Sequence, residues 1–432
     1  MDSTKIYGPK DRPPLAKWLP LSFQHVFAMF GATILVPILT GLSTSTALFT
    51  AGTGTLLYIL ITGAKVPAFL GSSFAFIPAL IGIGEKYGIE YAMGGAIFAG
   101  LFYCVIATII KFSGKEWINK ALPPVVIGSV IIVIGMSLSG SAINNAMFIN
   151  GNYSLVAASI AFVTLLIAII ATVFLKGFFN TISILIGLIG GYLFTLIMGF
   201  ISEKYKLIDF TAVQEARWFG LPFLHLDQEG NYYWMAPKFN LVAILTFVIV
   251  SISTICEHLG DTLTSSTVVG QDFTKDPGLH RTLCGDGLAT AWAAVWGGPP
   301  NTTYGENIGV MAITKVYSVW VIGGAAVIAV LLSFCPKFGA LIQTIPTPTL
   351  GGICILLYGL IASSGLRTLV ESGVDYKHKR NLTISSVIMV IGIGGGLLEF
   401  KINGNFTFSL GGVALATVIG IILNLIIPKS EN

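Results

Sequence analysis

Long apolar runs, separated by short polar stretches, fill the chain from residue 18 almost to its end. A helix needs roughly 20 apolar residues to cross the hydrocarbon core of a bilayer. The pattern therefore predicts an all-α polytopic membrane protein. The fourteen spans that we predict from it are 18–42, 47–63, 69–84, 91–110, 121–142, 155–175, 177–201, 241–263, 282–298, 304–314, 316–334, 345–366, 382–398 and 407–427.

Two of these spans, 69–84 and 304–314, are short and interrupted. The stretches around them, 67–78 (PAFLGSSFAFIP) and 299–314 (PPNTTYGENIGVMAIT), both combine Pro, Gly, hydroxyl side chains and an aromatic residue. Non-helical backbone at membrane depth is tolerated only where it is buried in protein or lines a cavity. Ordinary kinks at Pro and Gly are the structural alternative. We predict extended segments that turn into half-helices beside a binding site.

A long polar loop at 202–240 divides the fourteen spans into seven and seven. Because seven is odd, the second half must be inverted relative to the first. This predicts two inverted repeats, 1–201 and 241–432, joined by an outer loop at 202–240. The interrupted spans come third in each half, and such a matched pair is a sequence pointer to a transporter's substrate site.

The distribution of positive charge predicts the orientation. If the N-terminus lies in the cytoplasm and every span crosses, most of the 24 Lys and Arg residues fall on the cytoplasmic side. We therefore expect a multi-pass protein of the cell (plasma or inner) membrane with both termini in the cytoplasm. We expect no removable signal peptide, because no small-residue cleavage site follows the first span.

Composition narrows the function. The chain is 54% hydrophobic and 10% charged, and it has no basic stripe with interleaved aromatics of the kind that nucleic-acid-binding proteins carry. Its five Cys residues are scattered, which is typical neither of a disulfide framework nor of a metal site. We expect no cofactor, no metal and no nucleic-acid partner.

Few ionisable residues fall inside the predicted spans, and each is costly facing lipid, so we expect it to face the interior or a cavity. Glu257 and Asp261 are four residues apart and share one helix face, and Glu306 lies at the second interruption. Converging carboxylates can accept hydrogen bonds from ring N–H groups, and their mutual repulsion lets one take up a proton. Backbone N–H groups at a half-helix start can donate to carbonyls. A small planar ligand with alternating N–H and C=O groups fits this set.

Several other polar residues have a structural interpretation as well as a functional one. His258 points about 100° away from Glu257 around the helix, which favours a hydrogen-bonded core histidine. We interpret Asp286 as a loop or helix-start group on the cytoplasmic side. His25 is expected to be structural or a relay. The side chains that either shape the site or only secure the interrupted backbone are Asn301, Asn307, Phe74 and Tyr304.

Several local blocks resemble the nucleobase–ascorbate transporter family, also called nucleobase:cation symporter type 2, and in particular its bacterial uracil-carrying members. The blocks are PP at 13–14, QHVFAMFGAT at 24–33, GSSFAF at 71–76, EHLG at 257–260, DPGLHR at 276–281 and NTTYGENIG at 301–309. The last is highly specific, and together they cover nearly the whole chain.

The resemblance implies a core domain of spans 1–4 and 8–11 that moves against a gate domain of spans 5–7 and 12–14. It implies short antiparallel strands in spans 3 and 10, a homodimer, and import of uracil with a proton as the coupling ion. The substrate-binding residues that it implies are Glu257, Glu306, Phe74, Gly305, Ala32, Tyr304 and Tyr358. The residues that we assign to proton coupling are Glu257, Asp261, Glu306 and His25.

Alternatives remain open for the transported substrate and for the functional class of the protein. Purine and ascorbate relatives tend to have Gln where this chain has Glu306, which favours a pyrimidine. Asp261, however, is common in purine-type relatives, so a xanthine-type symporter on the same fold is the nearest alternative. A channel or anion exchanger is disfavoured by the interior acids and the lack of an interior Lys or Arg. An intramembrane protease that uses Asp261 and Asp286 is disfavoured by their separation.

Overall fold

The computed structural model describes residues 6–201, 205–226, 232–402 and 406–428. Parts of the predicted outer loop (202–204 and 227–231) and both ends of the predicted repeats (1–5 and 429–432) therefore lie outside the described residues.

The helices are α1 (Leu15–Thr40), α2 (Thr44–Ile61), α3 (Ile77–Tyr87), α4 (Ile89–Ser113), α5 (Glu116–Ala121), α6 (Pro124–Ser137), α7 (Ser139–Met147), α8 (Leu155–Phe174), α9 (Phe178–Thr181), α10 (Ser183–Ile201), α11 (Thr211–Glu215), α12 (Leu241–Val269), α13 (Leu279–Val295), α14 (Gly305–Thr314), α15 (Val319–Ser333), α16 (Pro336–Gln343), α17 (Thr347–Glu371), α18 (Lys379–Ile393) and α19 (Gly412–Ile426).

Short strands form four antiparallel pairs in the described part of the chain. The strands are β1 (Leu70–Ser72), β2 (Phe148–Ile149), β3 (Asn152–Tyr153), β4 (Leu224–Leu226), β5 (Tyr232–Trp234), β6 (Asn301–Thr303), β7 (Leu397–Ile402) and β8 (Phe406–Gly411). Three pairs are local hairpins. The fourth, β1 with β6, joins the two halves of the chain.

The architecture is mostly helical and fits a multi-pass membrane protein. Among the described residues, eight helical segments are long and apolar enough to cross a membrane, with α6 and α7 counted together as one segment (Pro124–Met147). A ninth is counted if α15 and α16, which are bent by 87° at a short break, form one span. Helices α3, α14 and α19 are shorter than a full crossing.

The prediction for the last two spans was partly wrong. Helix α18 ends at Ile393, and residues 397–402 and 406–411 form the β7–β8 hairpin instead of helix. Gly395 adopts φ +68°, a left-handed conformation that suits glycine as the chain leaves the helix. The stretch 406–411 (FTFSLG) alternates apolar and small polar residues, and this period of two favours a strand.

Two other predicted spans are not single continuous helices. The span at 121–142 is built from α6 and α7, which meet at Leu138 and extend to Met147. The span at 177–201 begins with the short helix α9 before α10 starts at Ser183. Apolar composition therefore marked the membrane segments but not their internal breaks.

Glycine contacts bring α4 and α13 very close together. A Cβ added at Gly100 would lie 2.3 Å from the Gly287 carbonyl oxygen, and one at Gly287 would lie 2.6 Å from the Gly100 carbonyl oxygen. Small residues allow such backbone approach between membrane helices. This contact holds α13 beside α4 and α12, next to the two interrupted spans.

Candidate functional site

The two interrupted spans meet in the antiparallel β1–β6 sheet. The pairing continues past both strands, because the Ser73 amide donates to the Pro300 carbonyl (2.8 Å) and the Tyr304 amide donates to the Phe69 carbonyl (3.0 Å). Pro300 has no amide hydrogen, which suits a position at the end of a strand. The strands that the resemblance implied in spans 3 and 10 are therefore present.

Neighbouring helices hold this sheet through hydroxyl and amide side chains. The Leu70 amide donates to the Thr55 hydroxyl oxygen of α2 (2.9 Å). The Asn301 side chain donates to the Thr50 carbonyl (2.9 Å), and the Thr290 hydroxyl of α13 donates to the Asn301 carbonyl (2.7 Å). These contacts satisfy polar groups that would be costly to bury alone, and they assign Asn301 to support of the backbone.

Tyr304 closes one side of the sheet. Its hydroxyl donates to the Ser72 carbonyl (3.1 Å) and lies 3.2 Å from the Thr33 hydroxyl of α1. Its ring covers Gly71, where an added Cβ would lie 2.6 Å from Tyr304 Cζ. The glycine is therefore required for the ring to rest against the strand.

Helix α14 begins at Gly305, directly after β6, and places Glu306 in its first turn. The first amides of a helix have no partner within it, so this end can donate hydrogen bonds to a ligand. Asn307 fixes the helix to α1, since its Nδ2 donates to His25 Nδ1 (3.0 Å) and to the His25 carbonyl (3.2 Å). His25 Nδ1 is then an acceptor, which places the ring proton on Nε2.

A cavity of about 310 Å³ opens beside the sheet and α14. Glu257, Asp261 and Glu306 lie on its wall, and all three are half-buried. Oε2 of Glu257 is buried without a hydrogen-bond partner among the described residues. Asp261 differs, because its Oδ2 accepts a 2.9 Å hydrogen bond from the Thr303 hydroxyl. Thr303 is a site residue that sequence reasoning missed, although it lies next to the predicted interruption.

The cavity extends along α12 and α17 away from the sheet. On α12 its wall runs from Glu257 to Val268, roughly 16 Å of helix. Ser363, Ser364 and Arg367 of α17 line it too, and all three are exposed. Arg367 lies one residue beyond the predicted span at 345–366, within α17, and is an exposed member of the cavity lining.

The structure brings most of the predicted substrate-binding residues to this cavity. Those on its wall are Glu257, Glu306, Phe74, Gly305 and Tyr304. Tyr358 is not on the wall but packs edge-on against Phe74, with ring centroids 5.7 Å apart. Ala32 is buried in α1 beside Thr33, and His25 lies behind α14.

The interpretation of Asp286 as a loop or helix-start group was wrong. Asp286 lies within α13 with its side chain fully buried, and its Oδ2 is 3.0 Å from Nδ1 of His258, which is also fully buried. The sequence could not reveal this, because the contact depends on how α12 packs against α13. The interpretation of His258 as a core histidine is confirmed, since its Nε2 contacts the hydroxyls of Thr282 (3.1 Å) and Thr262 (3.3 Å).

A family model described as the permease family matches residues 16–399. The chain belongs to the permease family. Members of this family are transporters, so the chain is a multi-pass membrane transporter and not an enzyme. The earlier resemblance of its sequence blocks is thereby confirmed at the level of the family.

Curated relatives match over almost the whole chain. The uracil permease of Bacillus subtilis (strain 168) is 48% identical over 98% of this chain and 96% of its own length. The uracil permease of Bacillus caldolyticus is 49% identical over 97% of this chain and 94% of its own length. Identity at this level over full length shows that the chain shares the whole fold of these relatives.

A solved structure shows the same fold at low sequence identity. The transmembrane domain of the cyanobacterial bicarbonate transporter BicA aligns with a TM-score of 0.62 at 14% identity, covering 98% of this chain and 100% of that one. This similarity concerns the fold alone, because the two proteins share few residues. It places the chain in a membrane-transporter architecture.

Proposed function

We propose that this chain imports uracil by proton symport, with the ligand held between the β1–β6 sheet, the start of α14 and the carboxylates of α12. The observation that carries the proposal is the unpartnered Glu257 Oε2 on the same cavity wall as Glu306 and the first amides of α14. The uracil permeases to which the chain is similar at 48% and 49% identity support the ligand.

Uracil is a small planar ring with two N–H donors and two carbonyl acceptors, so both kinds of site group have a partner. The carboxylates of Glu257 and Glu306 accept from the ring N–H groups. The amides of Gly305 and Phe74 donate to the carbonyls, since each residue begins a helical segment whose first amides lack internal partners. Phe74 and Tyr304 form apolar walls, and Tyr358 supports Phe74.

Proton coupling is proposed for the same carboxylates. Glu257, Asp261 and Glu306 share a cavity, and no described Lys or Arg lies beside them at the sheet end of its wall. Like charges in one cavity disfavour full ionisation. A proton bound from outside reduces that repulsion while uracil enters in its neutral form. His25 is proposed to act indirectly, through Asn307 and the position of α14.

The proposal also covers the arrangement of the membrane spans, the domains and the termini. Fourteen crossings form two inverted repeats, 1–201 and 241–432, on either side of the loop at 202–240. Spans 1–4 and 8–11 form the core, and spans 5–7 and 12–14 form the gate. Both termini lie in the cytoplasm of a cell whose plasma or inner membrane holds the protein as a homodimer. The cavity end at Arg367 then faces the cytoplasm, where α12 and α17 end.

An anion channel or exchanger is the alternative of another class, and Arg367 on the cavity wall is the observation in its favour. Three carboxylates line the same cavity nearer the sheet, so a permanent anion would meet strong repulsion there. A xanthine-type purine symporter is the alternative on the same fold, and competition for uptake separates it from a uracil carrier.

The test is labelled-uracil uptake by cells that express wild type, Glu306→Ala or Glu306→Gln at equal membrane levels. Glu371→Gln is the control, because Glu371 is an exposed carboxylate at the end of α17. We expect both Glu306 variants to lose saturable uptake and the control to keep it. Normal uptake in Glu306→Ala would remove Glu306 from the site.

A further inference from the structure

His258 and Asp286 form a fully buried pair outside the cavity wall. Nδ1 of His258 and Oδ2 of Asp286 are 3.0 Å apart, and both side chains have 0% exposure. Apart from this contact with His258, neither Asp286 oxygen has a hydrogen-bond donor among the described residues. A buried carboxylate is costly unless a charge or donors compensate it. His258 is therefore the group that compensates Asp286.

Two glycines explain how this carboxylate is enclosed. Gly285 and Gly287 flank Asp286, and a Cβ added to them would lie 2.9 Å from Tyr58 Cδ2 and 2.4 Å from Tyr103 Cβ, respectively. Tyr58 of α2 and Tyr103 of α4 are fully buried. The glycines thus admit a tyrosine on either side of Asp286, and the enclosure keeps water from solvating it.

The contacts around His258 are compatible with a proton on each ring nitrogen. The single hydroxyl proton of Thr282 is donated to the Leu279 carbonyl (3.1 Å), so the Thr282 oxygen accepts from His258 Nε2–H (3.1 Å). Nδ1 faces the Asp286 carboxylate, which can only accept when ionised. An imidazolium at His258, with Nε2–H directed to the Thr282 and Thr262 hydroxyl oxygens and Nδ1–H toward Asp286, would satisfy these contacts and balance the carboxylate.

We propose that His258 and Asp286 are a resident ion pair that positions Glu257 for the substrate, and that their proton is not the transported one. Glu257 and His258 are consecutive on α12 and point about 100° apart. Attachment of His258 to α13 therefore fixes the rotation of α12 and aims Glu257 into the cavity. This inference rests on the proposed uracil site.

The other titratable groups near the pair come from helices α2, α4 and α12. Tyr58 and Tyr103 face it from α2 and α4, while Glu257 and Asp261 lie on α12 and line the cavity. Tyr103 is itself engaged, because its hydroxyl donates to the Thr254 hydroxyl oxygen. Neither His258 nor Asp286 lies on the wall of the cavity that holds the carboxylates we propose to exchange the proton.

The variants that test the pair are His258→Gln, Asp286→Asn, Asp286→Ala and the double variant His258→Gln/Asp286→Asn. Cys256→Ala is the control for a core change in α12, because Cys256 is fully buried on the same helix. Full-length purified protein is used to measure the uracil Kd and the unfolding temperature without uracil. Proteoliposomes give the pH profile of uptake and the accumulation ratio at saturating uracil.

We expect His258→Gln to raise the uracil Kd about tenfold, or about 1.4 kcal/mol, because it leaves the Asp286 charge unbalanced. The double variant removes that charge, so it should bind more tightly and unfold at a higher temperature than His258→Gln alone. Asp286→Asn should be milder than Asp286→Ala, since asparagine keeps an oxygen acceptor of the same size beside Nδ1. The pH profile and accumulation ratio should match wild type.

Each other outcome overturns the proposal in a recognisable way. Additive effects in the double variant, or wild-type Kd values in folded single variants, would show that the two residues do not act as a positioning pair. An altered pH profile or lost accumulation at unchanged Kd would assign the transported proton to them. Failure of wild type itself to bind uracil would contradict the proposed function, while the unfolding temperatures would still test the ion pair.

Discussion

Asp261 accepts a 2.9 Å hydrogen bond from the Thr303 hydroxyl, and this contact joins α12 to strand β6 at the edge of the cavity. Asp261 lies one helical turn after Glu257, and Thr303 lies three residues before Glu306. The contact therefore connects the carboxylates of the two elements that we propose to hold the substrate. It gives Asp261 a role in the assembly of the site.

Thr303→Val should weaken uracil transport. Valine keeps the branched shape but removes the donor to Asp261, and one hydrogen bond to a charged group is worth about 1.5–3 kcal/mol. We expect a rise of at least about tenfold in the KM for uptake, with little change in expression. Thr303→Ser retains the hydroxyl and is the matched control. Equal KM values for the two variants would contradict this role.

Gly71→Ala should disturb the substrate wall. The added Cβ would lie 2.6 Å from Tyr304 Cζ, so the ring must leave its place against β1. We expect a lower unfolding temperature and loss of saturable uptake. Gly82→Ala in α3 is the control, since a Cβ there meets nothing within 4 Å and alanine favours helix by about 1 kcal/mol. Wild-type behaviour of Gly71→Ala would show that Tyr304 can move freely.

Asn307→Ala should loosen the half-helix that carries Glu306. It removes both hydrogen bonds to His25 and leaves buried acceptors unpaired, at a cost of about 1–3 kcal/mol. We expect reduced thermal stability and a higher uracil Kd, measured on purified protein. Ile313→Ala, at a half-exposed position of the same helix, provides the comparison. If both variants behave alike, the His25 contact does not hold α14 in place.

Ser364→Cys should report which side the cavity opens to. Ser364 is exposed on the cavity wall, near the end of α17 that we place in the cytoplasm. A membrane-impermeant maleimide should label it in inside-out vesicles, and uracil should slow the labelling. Wild type, with its five native Cys, gives the background. Labelling only in right-side-out vesicles would invert the proposed orientation.

The sequence predicted the interrupted spans well, because Pro67, Gly71, Pro300 and Gly305 act locally on the backbone that contains them. It also predicted that Glu257 and Asp261 share a helix face, since that depends only on helix geometry. It missed the β7–β8 hairpin, where apolar composition hid a change of period from helix to strand.

Contacts between distant elements were the harder part of the site. The burial of Asp286 depends on Tyr58 and Tyr103, which lie far away in sequence. The presence of Arg367 on the cavity wall depends on how α17 faces α12 and α14. Neither relationship has a signature in the local pattern of residues.

Uracil uptake into proteoliposomes with an imposed inward proton gradient tests the central claim most directly. Excess unlabelled uracil or xanthine is added as competitor, and an uncoupler dissipates the gradient. We predict gradient-dependent accumulation that unlabelled uracil blocks and xanthine does not, and that the uncoupler abolishes. Accumulation blocked only by xanthine, or uracil uptake indifferent to the proton gradient, would contradict a proton-coupled uracil importer.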